Sequence, residues 1–325
     1  MSKTTYVKAI CGATAEAMRA DEAVFVLGED VAEGGPYGTT AGLAEEFGAE
    51  RVRNTPISEG AITGVAVGAA QSGMRPVLEI MFIDFITLAL DQLVNQAAKA
   101  HLMSGGQLSV PMVVRTQGGA GQRSAAQHSQ SLEAWLTHVP GLKVVMPSTA
   151  RDARGLLLAA VADPNPVVYV ENRTLYYRPE DVEPEDVPIG RARVAREGGD
   201  LTIVAISKGV PDALVAAEEL AAGGLEAEVI DLRTLRPLDL ETVMRSVEKT
   251  NRLLAVEEGP RTGGWATGLL GAVTEQGLHD LDDAWVVATD ETPIPYSPTL
   301  EDAFLPSPDA IVESVQARLG VAAPG

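Results

Sequence analysis

The sequence predicts an α/β protein of two domains, each a mainly parallel β-sheet flanked by helices. Short apolar runs alternate with longer helical patterns, which is how the strands and crossover helices of a parallel sheet read. At 325 residues the chain is also long for a single hydrophobic core. The alternation stops in a proline-rich, acidic, non-periodic segment at 178–188 and then restarts. A domain over 1–180, a linker over 181–192 and a second domain over 193–325 are therefore expected.

In the first domain the compact apolar runs at 23–27, 77–80, 112–115, 143–146 and 167–170 are expected strands. Helices are expected between them at 5–19, 59–72, 85–101 and 150–161, with Gly73 ending the second of these as a C-terminal glycine should. Beyond the linker come strands at 201–206, 227–231 and 253–256, and helices at 211–222, 240–249 and after Gly264.

Charge narrows the function. With 25 basic and 45 acidic side chains the formal charge is -20, which disfavours nucleic acid and anionic membrane as partners and favours a basic protein surface. The single cysteine, Cys11, excludes an internal disulfide framework and reads as packing of the first helix. No apolar run reaches the roughly 18 to 20 residues of a membrane span, and the N-terminus lacks a signal-peptide core. A cytoplasmic protein is expected.

Three clusters, all in the first domain, have the composition of a site. Glu59, in NTPISEG at 54–60, is a lone carboxylate opening an otherwise uncharged helix of small and apolar residues. Such a helix is too apolar for a surface, so its first turn is expected to be buried. A buried carboxylate is costly enough to be neutralised or bound to something. EIMFIDF at 79–85 is a strand end running straight into a helix, where open α/β sheets bind ligands. The long glycine-rich loop at 115–131 carries His128, the side chain best suited to proton transfer near neutral pH. Read from spacing alone, each has a plainer meaning: Glu59 as a capping carboxylate, Met81 and Phe85 as core, His128 as a solvated loop residue, Glu29 as a turn former.

Six ordered runs carry a resemblance over nearly the whole chain: LGEDV at 27–31, NTPISEG at 54–60, GMRPVLEIMF at 73–82, QHSQ at 127–130, PGLKVVMPS at 140–148 and VIDLRT at 229–234. They resemble the beta subunit of thiamine-diphosphate-dependent 2-oxoacid dehydrogenases, the decarboxylating components specific for pyruvate, branched-chain 2-oxoacids or acetoin. The resemblance implies a transketolase-type pyrimidine-binding domain followed by a transketolase C-terminal domain.

It also implies roles. Thiamine diphosphate loses a proton from its thiazolium carbon to its own aminopyrimidine once a carboxyl group bonded to the ring nitrogen favours the imino tautomer, and Glu59 matches that carboxyl. Ile57, Met81 and Phe85 would line the aminopyrimidine pocket. His128 would assist proton transfer or acyl transfer to the lipoyl arm. Glu29 resembles a carboxylate that couples sites by relayed protons, and Ala160, Asp163 and Asn165 fall where relatives hold potassium through carbonyl oxygens.

Self-sufficient relatives hold magnesium and the diphosphate with a Gly-Asp-Gly motif and downstream asparagines. Here only Gly28-Glu29-Asp30 and Gly198-Gly199-Asp200 approach it. The resemblance thus implies an alpha subunit that brings Mg2+ and the other half of the cofactor site, in a tetramer of two alpha and two beta chains. The second domain would pack beta against beta and receive the basic subunit-binding domain of the lipoyl acyltransferase core, with Asp290 and Glu291 as candidate contacts or else merely a solvated acidic turn. The rival readings are a self-sufficient transketolase-like enzyme and a non-catalytic scaffold for the acyltransferase core. AAKAHL at 97–102 and GPYGT at 35–39 depart from the family pattern, and the substrate among pyruvate, branched-chain acids and acetoin stays open.

Overall fold

The structure, a computed structural model, describes residues 2–182 and 185–320. Contacts divide the chain into two units. One holds residues up to Gly118 together with Trp135–Ile189; the other holds Gly119–Ala134 and the residues from Gly190 onward.

The first unit is built on strands β1 (Ser2–Thr5), β2 (Val24–Gly28), β3 (Val52–Asn54), β4 (Arg75–Phe82), β5 (Val113–Gly118), β6 (Lys143–Val145), β7 (Val167–Asn172) and β8 (Pro179–Val182). Strands β6-β7-β5-β4-β2-β3 lie side by side in that order, and each adjacent pair is parallel. Central strands β2 and β5 are buried at every position, as parallel strands covered on both faces must be. Helices α1 (Tyr6–Ala20), α2 (Leu43–Phe47), α3 (Glu59–Gln71), α4 (Ile86–Asp91), α5 (Ala98–Met103), α6 (Glu133–Thr137) and α7 (Ala150–Ala162) connect them. Thr5 and Thr149 cap α1 and α7 with their hydroxyls, and Tyr6, Ile10, Met18, Leu156 and Leu157 bring those two helices into one core. Cys11 packs half-buried on α1, its Sγ 3.2 Å from the Ala41 carbonyl.

Three details differ from the sequence reading. The helix expected at 85–101 is broken into α4, a π-helical turn at Gln92–Ala97 and α5, an irregularity with no sequence mark of its own. The acidic segment read as pure linker begins as a strand, because Pro179–Val182 pairs antiparallel with Ser2–Thr5; Glu183 and Pro184 lie outside the described residues. Helix α3 is not buried all round. Ile62, Ala66 and Ala70 face inward, while Ala61, Val65 and Gly68 are exposed.

The second unit carries β9 (Arg193–Arg196), β10 (Leu201–Ala205), β11 (Ala227–Asp231), β12 (Thr234–Arg236), β13 (Arg252–Pro260) and β14 (Asp283–Thr289). Its sheet runs β14-β13-β10-β11-β9, parallel except for the β9 edge. Helices α8 (Gly209–Ala222), α9 (Leu240–Thr250), α10 (Trp265–Gly277), α11 (Pro298–Phe304) and α12 (Pro308–Leu319) accompany it. Its separate core includes Leu201, Ile203, Val229, Leu254 and Ile311. No helix among the described residues is long and apolar enough to cross a membrane.

Candidate active site

The first unit gathers its candidate residues at the carboxyl ends of β2, β3 and β4. From β2 the chain goes outward to β3 and then back past it to β4, so the winding reverses at the β2/β4 pair, where parallel sheets open a ligand crevice. A Cβ on Gly28 would lie 2.8 Å from the Glu79 carbonyl, so only glycine lets β2 end this close to β4. The next residue, Glu29, is half-buried there. The Thr55 N–H donates to the Gly28 carbonyl at 2.9 Å, guiding the chain from β3 into the segment that ends at Glu59.

Glu59 is the first residue of α3 and is only 5% exposed. Ser58 gives that helix no side-chain cap, and among the described residues the Glu59 carboxyl group accepts no hydrogen bond. The capping reading of Glu59 thus lacks its hydrogen bond, although the helix dipole still favours a negative group there. Glu29 has its pKa raised, first by burial and then by the charges of Glu59, Asp30 and Glu79. Three glutamates therefore share one neighbourhood.

Met81 and Phe85 are half-buried at the end of β4, and Phe85 meets Phe82 edge to face with ring centroids 5.9 Å apart. The Arg173 guanidinium stands over the Phe82 ring at 4.8 Å. Ile57 does not line an enclosed pocket within the unit, since it is 80% exposed. A pocket of about 340 Å³ elsewhere in this unit is lined by Leu27, Thr55, Val65 and Met74 among others, and by none of the nominated residues.

Beneath the carboxylates lies an ionic network that sequence reasoning did not assign. Arg115 donates from Nη1 to Glu79 Oε2 at 2.9 Å and from Nε to Glu171 Oε1 at 2.7 Å, and Tyr176 donates its hydroxyl to Glu171 Oε2 at 2.5 Å. Burial pulls the Arg115 pKa down, but Glu171 and Glu79 outweigh it and hold the guanidinium charged. A signal did exist: Glu79 and Arg115 are charged residues inside apolar strands, and they fall opposite each other in the β4/β5 register.

His128 is not in the unit of Glu59. Its loop follows β5 in sequence but packs with the second unit, because the loop's N–H groups find carboxylates there: Ala120 donates to Glu258 at 3.2 Å and Gly121 to Glu301 at 2.9 Å. By contacts, residues 119–131 of the third cluster, His128 included, group with the second unit, while residues 115–118 stay with the first. Around it Glu133 and Glu257 are pushed up to about 7 and Glu258 to about 8, with burial the main cause in each. Glu257 also accepts the N–H groups of Trp265 and Ala266, which opposes its shift.

At the end of α7 the Asp163 carboxylate pairs with Lys143 and accepts from Asn165 N and Nδ2. The Ala160 carbonyl accepts from the Asp163 N–H at 3.3 Å, while the carbonyls of Asp163 and Asn165 accept no hydrogen bond among the described residues. Asp290 and Glu291 follow β14 on the surface, with Glu291 accepting from the Thr262 N–H.

Residues 2–179 match the pyrimidine binding domain of transketolase and residues 190–311 match the transketolase C-terminal domain, which defines the class: a transketolase-type protein of two α/β units. The pyruvate dehydrogenase E1 component subunit beta of Rhizobium meliloti (strain 1021) is 48% identical over 322 residues, spanning 98% of this chain and 70% of that protein. The acetoin:2,6-dichlorophenolindophenol oxidoreductase subunit beta of Bacillus subtilis (strain 168) is 47% identical, spanning 94% of each. The chain belongs to this family of beta subunits. Among solved structures, the inactive beta4 tetramer of a split-gene transketolase superposes with a TM-score of 0.83 at 24% identity, covering 97% of this chain and 98% of that one. Transketolase from Leishmania mexicana gives 0.72 at 19% identity, covering 98% of this chain and 46% of that one. Both show the fold.

Proposed function

We propose that this chain is the beta half of a thiamine-diphosphate enzyme that decarboxylates a 2-oxoacid, or cleaves acetoin, and passes the acyl group to a lipoyl domain. The observation that carries the reading is Glu59, a carboxyl group buried at the switch point of a parallel sheet that accepts no hydrogen bond among the described residues. A buried acid in that state is suited to a ligand that offers it a polar ring nitrogen. The half-buried Phe85 and Met81 offer apolar surface to the faces of such a ring.

Thiamine diphosphate, when bound, supplies the electron sink that carbon–carbon cleavage beside a carbonyl requires. This chain's residues do the rest. Glu59 would hold a hydrogen bond at the pyrimidine nitrogen and Met81 and Phe85 would keep water from the ring, while Glu29, its pKa raised first by burial and then by the charge of Glu59, belongs to the same group of carboxylates. His128 exchanges a proton with the acceptor during acyl transfer.

The diphosphate and Mg2+ would be held by an alpha subunit. Two facts support that partner: the curated relatives are named as beta subunits, and Ile57, Val65 and Leu88 expose apolar surface beside Glu59's helix. A tetramer of two alpha and two beta chains follows. Potassium would take the carbonyls of Asp163 and Asn165, which accept no hydrogen bond among the described residues, with that of Ala160, and the charge of -20 suits a basic acyltransferase domain docking at Asp290 and Glu291. A cytoplasmic location is part of the same reading.

Calorimetry of thiamine diphosphate with Mg2+ tests it, on this chain alone and on the chain co-expressed with an alpha subunit. Binding only by the mixture supports the split site; tight binding by the chain alone would overturn it and favour a self-sufficient enzyme.

A further inference from the structure

The loop that carries His128 adopts a shape its own sequence does not favour. Arg123 and Ala125 lie in the left-handed region at φ 58° and 60°, which residues with side chains rarely adopt, so another group must impose the conformation.

That group is Glu301, on α11, 0% exposed and far away in the chain. Its Oε1 accepts from the Gly121 N–H at 2.9 Å, and its Oε2 from the Arg123 N–H at 3.1 Å and from Arg123 Nη1 at 2.5 Å. Arg123 Nη2 continues to Asp302 Oδ1 at 2.6 Å. Two residues past Arg123, the Ala125 carbonyl accepts from the His128 N–H at 3.2 Å, and the Gln130 carbonyl accepts from the Gly119 N–H at 3.0 Å, closing the loop. Glu301 thus fixes the backbone at Gly121 and Arg123, and the chain continues through Ser124 to Ala125, whose carbonyl receives the His128 N–H. Only a carboxylate can accept three such N–H donors with both oxygens; an amide of the same shape would turn two hydrogens toward groups that also donate.

We propose that Glu301 is a positioning residue for the acyl-transfer step, holding the His128 loop in its working shape without touching substrate. The proposal rests on the role given above to His128. It places a determinant of the reaction on α11, apart in sequence from Glu59, Met81 and Phe85.

The test uses the enzyme assembled with its alpha subunit, thiamine diphosphate and Mg2+, comparing Glu301→Gln, His128→Ala and the double variant. Expected for Glu301→Gln is about a 10-fold fall in the kcat of acyl transfer to lipoyl domain, since a small misplacement of a reacting group has an effect of that order. The KM for lipoyl domain should stay within about two-fold, and the double variant should be no slower than His128→Ala alone. Amide hydrogen exchange across Gly119–Ala134 should quicken roughly tenfold while strands β10, β11 and β13 are unchanged.

A normal rate in Glu301→Gln, or losses that multiply in the double variant, would overturn the proposal. If His128→Ala is slow while Glu301→Gln is normal, only the proposal falls; if His128→Ala transfers at the wild-type rate, the role of His128 falls with it. Should Glu301→Gln not assemble, Arg123→Ala carries the test, because that side chain is 34% exposed and its loss removes only the guanidinium bonds. A loss of about three-fold that His128→Ala masks supports the proposal, and a wild-type rate overturns it.

Discussion

Arg115 Nε and Glu171 Oε1 meet at 2.7 Å with side-chain exposures of 1% and 0%, so an ion pair stands in the interior of the first unit's sheet. Such a pair gains little over an apolar pair of the same shape, but breaking it is expensive. Glu79 depends on the same guanidinium. Replacing Arg115 with Met would strand two buried carboxylates, and the expected loss is about 3 to 5 kcal/mol of stability. Urea unfolding of the purified chain measures this, and a loss below about 1 kcal/mol would show that the carboxylates find water or protons instead.

Glu59→Gln keeps the volume of the side chain and removes its acid. Because the Glu59 carboxyl group accepts no hydrogen bond among the described residues, assembly and stability should be close to wild type, within about 0.5 kcal/mol. Turnover should fall by roughly 10² to 10⁴-fold, the usual worth of a positioned proton-transfer group. Steady-state assay beside a thermal melt checks both halves, and near-normal turnover would end the assigned role.

Glu133, Glu257 and Glu258 give the second unit a pH dependence opposite to the common one. Burial pushes the first two up to about 7 and Glu258 to about 8, with Glu257 adding to the shift of Glu133 and Glu133 to that of Glu258. A free glutamate ionises near pH 4.3, about three to four units lower. Between roughly pH 4.5 and 8 the unfolded chain has therefore released these protons while the folded unit keeps them. Stability should fall as pH rises through that window and level off above it. Melts of the chain across this range should show a Tm decline that Glu258→Gln makes shallower, with the variant the more stable of the two at pH 8. A Tm that climbs from pH 5 to 8 would contradict the shifts.

The central elements were legible because their burial is written in composition. Strands β2, β4, β5, β7, β10, β11 and β13 are apolar runs, and the structure places them within a few residues of the sequence reading. The edge strands β3 and β9 were not, since β3 (Val52–Asn54) is buried at one residue only and β9 (Arg193–Arg196) begins and ends in arginine. Glu59 stood out as a charge in a small apolar helix, and Met81 and Phe85 as an apolar strand end. The partners of the buried charges were invisible. Glu171 and Glu301 lie 56 and 178 residues from Arg115 and Arg123, and spacing carries no record of contacts closed by the fold. For the same reason the His128 loop read as part of the first domain, while its anchors are Glu258 on β13 and Glu301 on α11.

The proposed role of His128 lies in the acyl-transfer half of the reaction. His128 is carried on a loop whose N–H groups are held by Glu258 and Glu301, whereas Glu59, Met81 and Phe85 belong to the other unit. A group on a separate loop is suited to meeting the incoming lipoyl arm, and the cleavage step depends first on the residues beside Glu59. His128→Ala in the assembled enzyme should therefore slow acyl transfer to lipoyl domain by about 10² to 10³-fold while decarboxylation followed with an artificial electron acceptor falls by less than about ten-fold. The two assays are run on one preparation, so that differences in assembly cancel. Equal losses in both would mean that His128 acts before the acyl group is formed, and the division of labour between the two units would have to be redrawn around a single site.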